Sequence, residues 1–231
     1  MQRIAKAISS AGVCSRREAE RLILQGLVKV DGVVIDSPAT LVDGTNAIEV
    51  EGHKINDQPS ARLWTYYKPV GLLTTHSDPQ GRPTVFEHLQ KLPRVISIGR
   101  LDLNSEGLLL LTNNGELARF FELPANKLIR VYKVRAYGDF KNLKRAKFPI
   151  VIDGISYNPK EIKLIQEGAA NSWFEVVLAE GKNREIRKIF EYFGLSVNRL
   201  IRTRYGPFSL GNLKEGEYKE QNFATFKDFI K

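Results

Sequence analysis

Ile98-Gly99-Arg100-Leu101-Asp102-Leu103-Asn104-Ser105-Glu106-Gly107-Leu108-Leu109-Leu110-Leu111-Thr112 is the stretch on which the reading of this chain turns. An apolar run meets a glycine, presents an Arg and an Asp two residues apart, crosses a short polar loop and enters a second apolar run. Residues two apart in an extended segment face the same side, so Arg100 and Asp102 can point into one cleft. The same spacing also fits a surface pair beside a turn. Outward from this stretch, runs rich in β-branched, aromatic and Leu residues recur at Leu63 to Tyr67, Val95 to Ile98, Leu108 to Leu111, Val131 to Ala136 and Trp173 to Leu178, each bounded by Gly, Pro or Asn. Helical patterns are expected at Pro83 to Leu89, Gly115 to Phe121 and Arg184 to Phe193. An α+β domain with a mixed, mainly antiparallel sheet follows, beginning near Arg62.

The first fifty residues read differently. Ile4, Ala7, Ile8 and Ala11 recur at helical spacing and stop at Gly12, a good helix-terminating residue. Ser15 followed by Glu18 forms a capping box; Ala19, Leu22 and Ile23 continue as the apolar stripe of a second helix, and Gly26 ends it. Leu27 to Val30 and Val33 to Ile35 then flank Asp31-Gly32, a pair suited to a two-residue hairpin turn. Two short helices and a hairpin result, with Arg3, Lys6, Arg16, Arg17, Arg21 and Lys29 decorating one side, where they can grip a phosphate backbone without reading bases. Residues 51–61 are polar and carry no period, so they read as a linker. The expected organisation is therefore a small domain at 1–50, a linker at 51–61 and a larger domain at 62–231.

Composition narrows the function. The 231 residues carry 35 Lys+Arg against 26 Asp+Glu, a formal net charge of +9, with 42% hydrophobic residues. This excludes disordered, collagenous and low-complexity classes and points to a polyanionic partner. The charge is uneven: residues 1–30, 127–147 and 182–204 are basic and 31–60 acidic. A single cysteine, Cys14, and three scattered histidines, His53, His76 and His88, assemble neither a disulfide nor a metal set, so no metal is expected. Phosphate-binding Gly-Lys-Ser/Thr loops, Cys-x-x-Cys, His-Glu-x-x-His and Gly-x-Ser-x-Gly are all missing, which leaves a cofactor-free carboxylate mechanism. No apolar run approaches the roughly 18 residues of a membrane span. A cytoplasmic monomer with no membrane contact is expected.

Two resemblances sharpen these readings. Residues 2–50, with a basic helix, Gly12, Ser-Arg-Arg-x-x-Glu, an apolar helix, Gly26 and a Val-x-Val-Asp-Gly hairpin, resemble the S4 RNA-binding domain. Tyr66-Tyr67-Lys68-Pro69-Val70-Gly71, Gly81-Arg82-Pro83-Thr84-Val85-Phe86, Gly99-Arg100-Leu101-Asp102 with Ser105 to Thr112, and Glu180-Gly181-Lys182-Asn183-Arg184-Glu185-Ile186-Arg187 resemble, in family order, the RNA pseudouridine synthases. An S4 domain ahead of Tyr-Lys-Pro-x-Gly is similar to the rRNA-modifying branch of that family, and the block Val197 to Gly206 is similar to its large-subunit members.

The resemblance implies an isomerase that converts one uridine of 23S rRNA to pseudouridine on a flipped-out base, without cofactor. It implies Asp102 as nucleophile, attacking ring C6 or ribose C1′, and Arg187 as the guanidinium that pairs with it and keeps it ionised. Tyr132 is implied to pack on the uracil ring and to be a candidate base for the C5 proton; Leu200 lines the pocket. Arg100 is read as filling the stack left by the extruded base. Lys68, Lys182, Arg184 and Lys188 are read as RNA contacts, with Lys68 supporting the cleft, and Arg3, Lys6, Arg16, Arg17 and Arg21 as the electrostatic anchor. Trp64, Tyr66 and Tyr67 read as strand packing. Two other readings stand beside this one: a synthase of 16S rRNA, and a non-catalytic RNA-binding assembly factor. A DNA-binding regulator lacks a recognisable reading helix.

Overall fold

The computed structural model describes residues 1–55 and 59–230, and two compact units emerge from it. Asn56, Asp57 and Gln58, in the middle of the expected linker, lie outside the described residues. The N-terminal unit comprises residues 1–62, 91–96 and 113–115; the second comprises 63–90, 97–112 and 116–231.

In the N-terminal unit the elements run β1 (Gln2–Arg3), α1 (Ile4–Ser10), α2 (Arg16–Leu24), β2 (Val28–Val30), β3 (Val33–Val34), β4 (Leu41–Val42), β5 (Ile48–Val50) and β6 (His53–Lys54). The Ser15 hydroxyl accepts the Glu18 amide at 3.1 Å and starts α2. The reciprocal half of the capping box does not form, because the Glu18 carboxylate turns to Arg21 instead. Ile4, Ile8, Ala19, Ile23 and Val28 are completely buried, and Leu22, Val42, Ile48 and Val50 close the core around them. Asp31 and Gly32 both adopt positive φ, 52° and 83°, which gives the β2–β3 turn a twist matching its strands. Glu51 and Gly52 repeat the device at 50° and 81°, and β6 pairs with β5. Part of the expected linker is therefore a hairpin: His53 and Lys54 are exposed, so no burial periodicity marked them as a strand.

The second unit is built on β7 (Leu63–Lys68), β8 (Ile96–Ile98), β9 (Glu106–Thr112), α3 (Gly115–Glu122), β10 (Arg130–Tyr137), α4 (Lys141–Lys144), β11 (Ile150–Ile152), β12 (Ile155–Tyr157), β13 (Glu161–Gln166), β14 (Asn171–Leu178), α5 (Glu185–Tyr192), β15 (Ser196–Tyr205), β16 (Phe208–Ser209) and β17 (Tyr218–Glu220). Its main sheet runs β13-β14-β10-β15-β9-β7-β17, and β11 pairs with β12 apart from it. Every pairing along that order is antiparallel except β15 with β9. The mainly antiparallel α+β expectation holds. All of β9 is buried, and Leu108 to Leu111 expose nothing, each such leucine contributing roughly 1.5–3 kcal/mol. Trp64 and Tyr66 of β7 are likewise packed away.

Where β9 and β15 lie parallel, Arg202 pairs with Gly107, whose φ is +99°. A Cβ at Gly107 would sit 2.4 Å from the Arg202 carbonyl oxygen, so only glycine lets these two strands meet. This crossing positions the site.

One expected element needs correction here, and one strand was not foreseen. Pro83 to Leu89 is not a helix beyond a single 3₁₀ turn at Glu87–Leu89. The Leu73 amide bonds the Pro83 carbonyl, Val85 bonds Leu73, and the Thr84 hydroxyl bonds the Glu87 carboxylate, which hold the segment extended before it can coil. The ten-residue strand β15 was not among the expected strands, because Asn198, Arg199, Arg202 and Arg204 interrupt its apolar pattern.

Candidate active site

The loop between β8 and β9 is held from several directions. Gly99 turns it with φ +69°, and its amide donates to Glu122 Oε1 at 2.7 Å. The Thr74 hydroxyl donates to the Leu101 carbonyl at 2.9 Å, while the Gly71 amide donates to the Leu103 carbonyl at 2.9 Å. The buried Leu101 side chain anchors the middle. The Ser105 amide folds back on the Asp102 carbonyl at 3.0 Å. Arg100 and Asp102 emerge beside a cavity of about 390 Å³, and both line it.

Tyr132 of β10, Leu178 of β14, Ile186 of α5 and Leu200 of β15 supply apolar lining to the same cavity. Tyr132 is paired in register with Arg202 on one side and Val176 on the other, and its side chain is buried. The polar lining comes from Asp102, Ser105, Lys182, Arg184, Glu185 and Arg202. Arg100, Glu122, Arg130 and Asn183 add to that polar side, so the cavity sets one apolar wall against a strongly charged one, an arrangement that suits a planar, polar-edged ligand carried on an anionic backbone. Asp102, Tyr132, Leu200, Arg100, Lys182 and Arg184 all line this one cavity.

Arg187 behaves differently from expectation. Its Nη1 donates to the Val197 carbonyl at 2.8 Å and its Nη2 to the Asn104 carbonyl at 2.7 Å, so both ends of the guanidinium hold backbone. Among the described residues, the cation within ion-pair range of Asp102 is Arg184, whose Nη1 lies 3.8 Å from Oδ2. The reason is local: Arg184 takes the left-handed conformation, φ 49°, immediately before α5, and this aims its side chain across the cavity. Arg187 sits one helical turn further on and clamps the loop that carries Asp102. Burial, and then the neighbouring Arg184, lower the Arg187 pKa, with Asp102 acting in the opposite sense.

Lys68, read as an RNA contact that supports the cleft, sits behind the loop that carries Asp102. It is fully buried, and its Nζ donates to the Pro69 and Ser105 carbonyls at 2.9 and 2.8 Å, bracing the Asp102 loop. Burial lowers its pKa to about 8, against the pull of Asp102 and Glu106. Lys182 lines the cavity, yet its ammonium is held by Glu180 and the Ser156 carbonyl at 2.7 Å. Lys188 is half-buried on α5 and is not part of the lining. In the N-terminal unit Arg3, Arg16 and Arg17 are exposed and Lys6 is half-buried, while Arg21 is occupied by Glu18 and Gln25 of its own helix.

Several residues were not anticipated. Glu106 is buried beneath Arg199, whose Nε and Nη2 reach it at 2.7 and 3.1 Å, and it accepts the Tyr67 hydroxyl at 2.9 Å. Glu185 is buried, accepts the Lys182 amide at 3.1 Å, and has its pKa pushed up to about 7 by burial and by the adjacent Glu180 carboxylate. Arg202, 3% exposed, lies under the cavity with its guanidinium 5.1 Å from the centre of the Tyr205 ring. Two signals were present: Glu185 stands within a quoted motif, and Arg202 shares the alternating face of Leu200.

A two-unit chain with this sheet and this carboxylate-bearing cavity has the makings of an RNA-modifying enzyme. The comparisons give that class its name. The RNA pseudouridylate synthase family matches residues 62–192 and the S4 domain family residues 2–48. The chain belongs to the RNA pseudouridine synthase family and is an isomerase of that kind, with an S4 RNA-binding domain ahead of the catalytic domain. It is 66% identical to an uncharacterized RNA pseudouridine synthase of Rickettsia felis, over 96% of this chain and 97% of the relative. It is 42% identical to ribosomal large subunit pseudouridine synthase B of Pasteurella multocida, over 97% of this chain and 68% of that protein. A crystal structure of a pseudouridylate synthase covers 100% of both chains with TM-score 0.66 at 23% identity, a likeness of fold.

Proposed function

We propose that this synthase acts on a uridine of large-subunit ribosomal RNA, with Asp102 as its nucleophile. The observation that carries the reading is the convergence of the Asp102 carboxylate, the Tyr132 ring and the Leu200 side chain on one cavity, with the Arg184 guanidinium 3.8 Å from the carboxylate. The 42% identity to a ribosomal large subunit pseudouridine synthase B supports the choice of RNA. A base within a duplex is inaccessible, so the uridine is extruded into the cavity at a cost of a few kcal/mol. Arg100, exposed at the rim, fills the space the base leaves. Tyr132 and Leu200 hold the ring, Asp102 adds covalently, and the C1′–N1 bond breaks. The captive uracil rotates, C5 bonds to C1′, and Tyr132 is positioned to take the C5 proton.

Arg184 is the cation that faces the Asp102 carboxylate, and Arg187 positions the loop that carries it by fixing the Asn104 carbonyl. Because Asp102 and Arg184 are both partly exposed, their attraction contributes little stability and acts on orientation. Arg3, Lys6, Arg16 and Arg17 hold phosphates, so affinity falls steeply with salt. The test is pseudouridine mapping of rRNA, by carbodiimide modification and primer extension, in cells lacking the protein and in cells complemented with it. The expected result is one 23S site lost and restored. An unchanged 23S map, or a change confined to 16S rRNA, overturns the proposed substrate.

A further inference from the structure

Three of the buried side-chain atoms without a hydrogen-bond partner belong to residues that line the Asp102 cavity: Ser105 Oγ, Glu185 Oε1 and Arg202 Nη2. Arg202 differs from the other two in carrying a permanent charge. Its Nε is fixed to the Leu108 carbonyl at 2.7 Å and its guanidinium rests against the Tyr205 ring. Among the described residues no carboxylate lies within ion-pair distance of it. A buried cation ordinarily has an anionic partner, because desolvation without one is unfavourable. Here the cation is 3% exposed, its Nη2 is enclosed without a hydrogen-bond partner, and the residue lines the cavity that, on the proposed function, receives an uncharged base.

The base does not stay uncharged. When the C1′–N1 bond breaks, its electron pair passes to N1 and is delocalised onto O2 and O4; addition at C6 instead places charge on the C5–C4–O4 enolate. Either route gathers negative charge on a carbonyl oxygen, and the pair is later used to form the C5–C1′ bond while the C5 proton leaves and N1 is protonated. We infer that Arg202 Nη2 donates to a carbonyl oxygen of the extruded uracil and stabilises the anion that develops as the base is detached. The donor is preorganised and water-excluded, the arrangement in which electrostatic stabilisation of a transition state is strongest. The same contact favours uracil over cytosine if it falls on position 4, where cytosine carries an amino group.

The inference rests on the cavity being the uracil pocket, and wild-type turnover of an unmodified RNA fragment carrying the mapped uridine checks that first. No conversion of any uridine overturns both. With turnover established, single-turnover rates are measured for wild type and Arg202→Gln on fragments with uracil, 2-thiouracil or 4-thiouracil at the target, since sulfur is a poor hydrogen-bond acceptor. Arg202→Gln is expected to slow the step by about 100-fold with RNA affinity within about twofold. One sulfur substitution slows the wild type about tenfold and slows the variant less than twofold, as for two partners in one contact. Effects that multiply at both positions overturn the inference, as does a variant rate near that of the wild type. If melting shows that Arg202→Gln does not fold, the wild type still decides: indifference to both sulfur positions overturns the inference, and a tenfold loss at one supports it.

Discussion

In the N-terminal unit Arg3, Arg16 and Arg17 stand exposed above a small apolar core, whereas in the catalytic unit Lys68 and Arg202 are 0% and 3% exposed and Arg187 is fastened at both ends to backbone carbonyls. The two settings give the same charge different work. An exposed guanidinium acts through a screened field, adapts to whichever phosphate arrives and yields to salt. A buried one has lost its hydration, so it acts on one atom in one geometry and is insensitive to bulk salt. On the proposed function, binding strength belongs to the first set and chemistry to the second.

Substitutions separate the two sets, and the largest effect is expected where the buried set is assembled. Gly107→Ala places a methyl 2.4 Å from the Arg202 carbonyl at a positive φ, so thermal or denaturant melting should show a loss of roughly 4 kcal/mol or more, and with it all turnover. The pH dependence comes next. Glu185 has its pKa raised from 4.5 to about 7, so between these values the folded state holds a proton that the unfolded state has released. Stability from this group is therefore complete below about pH 4.5 and falls as pH rises toward 7, by at most roughly 3 kcal/mol. Glu185→Gln should flatten that slope in melting experiments across the same window; an unaltered slope would place the proton elsewhere.

Smaller effects are expected on the exposed set. Arg16→Ala with Arg17→Ala should raise the RNA dissociation constant about tenfold at moderate salt and lower the salt slope by about two, with turnover at saturating RNA unchanged. A fall in saturated turnover would erase the distinction between the two sets. Ser15→Ala removes the hydroxyl that accepts the Glu18 amide and should cost about 1 kcal/mol in the N-terminal unit, read by amide hydrogen exchange in α2.

Much of this was legible in the sequence because local chemistry left marks. Ser15, Gly26 and Asp31-Gly32 punctuate the first unit with residues whose backbone preferences admit few alternatives, and Leu108 to Leu111 read as strand from composition alone. The motif order identified the family and brought Asp102, Tyr132 and Leu200 together. What escaped was set by long-range geometry. Residue spacing cannot say that Arg184 reaches Asp102 while Arg187 bonds Asn104, since this depends on a left-handed residue ahead of α5. Lys68 in Tyr-Lys-Pro was legible as a support of the cleft, but only the fold shows that it is buried, with its ammonium enclosed by the Pro69 and Ser105 carbonyls. β15 was hidden because its cations break the apolar alternation that marks strands, and the cation that matters most there, Arg202, points inward.

The central claim is that Asp102 performs chemistry and contributes little to holding RNA. Single-turnover conversion of a 23S rRNA fragment by purified Asp102→Asn, measured beside its equilibrium affinity for the same fragment, tests this most directly. The account predicts a rate at least about 1,000-fold below wild type with affinity within about twofold. Turnover near the wild-type rate, or a loss of affinity as large as the loss of rate, would contradict it.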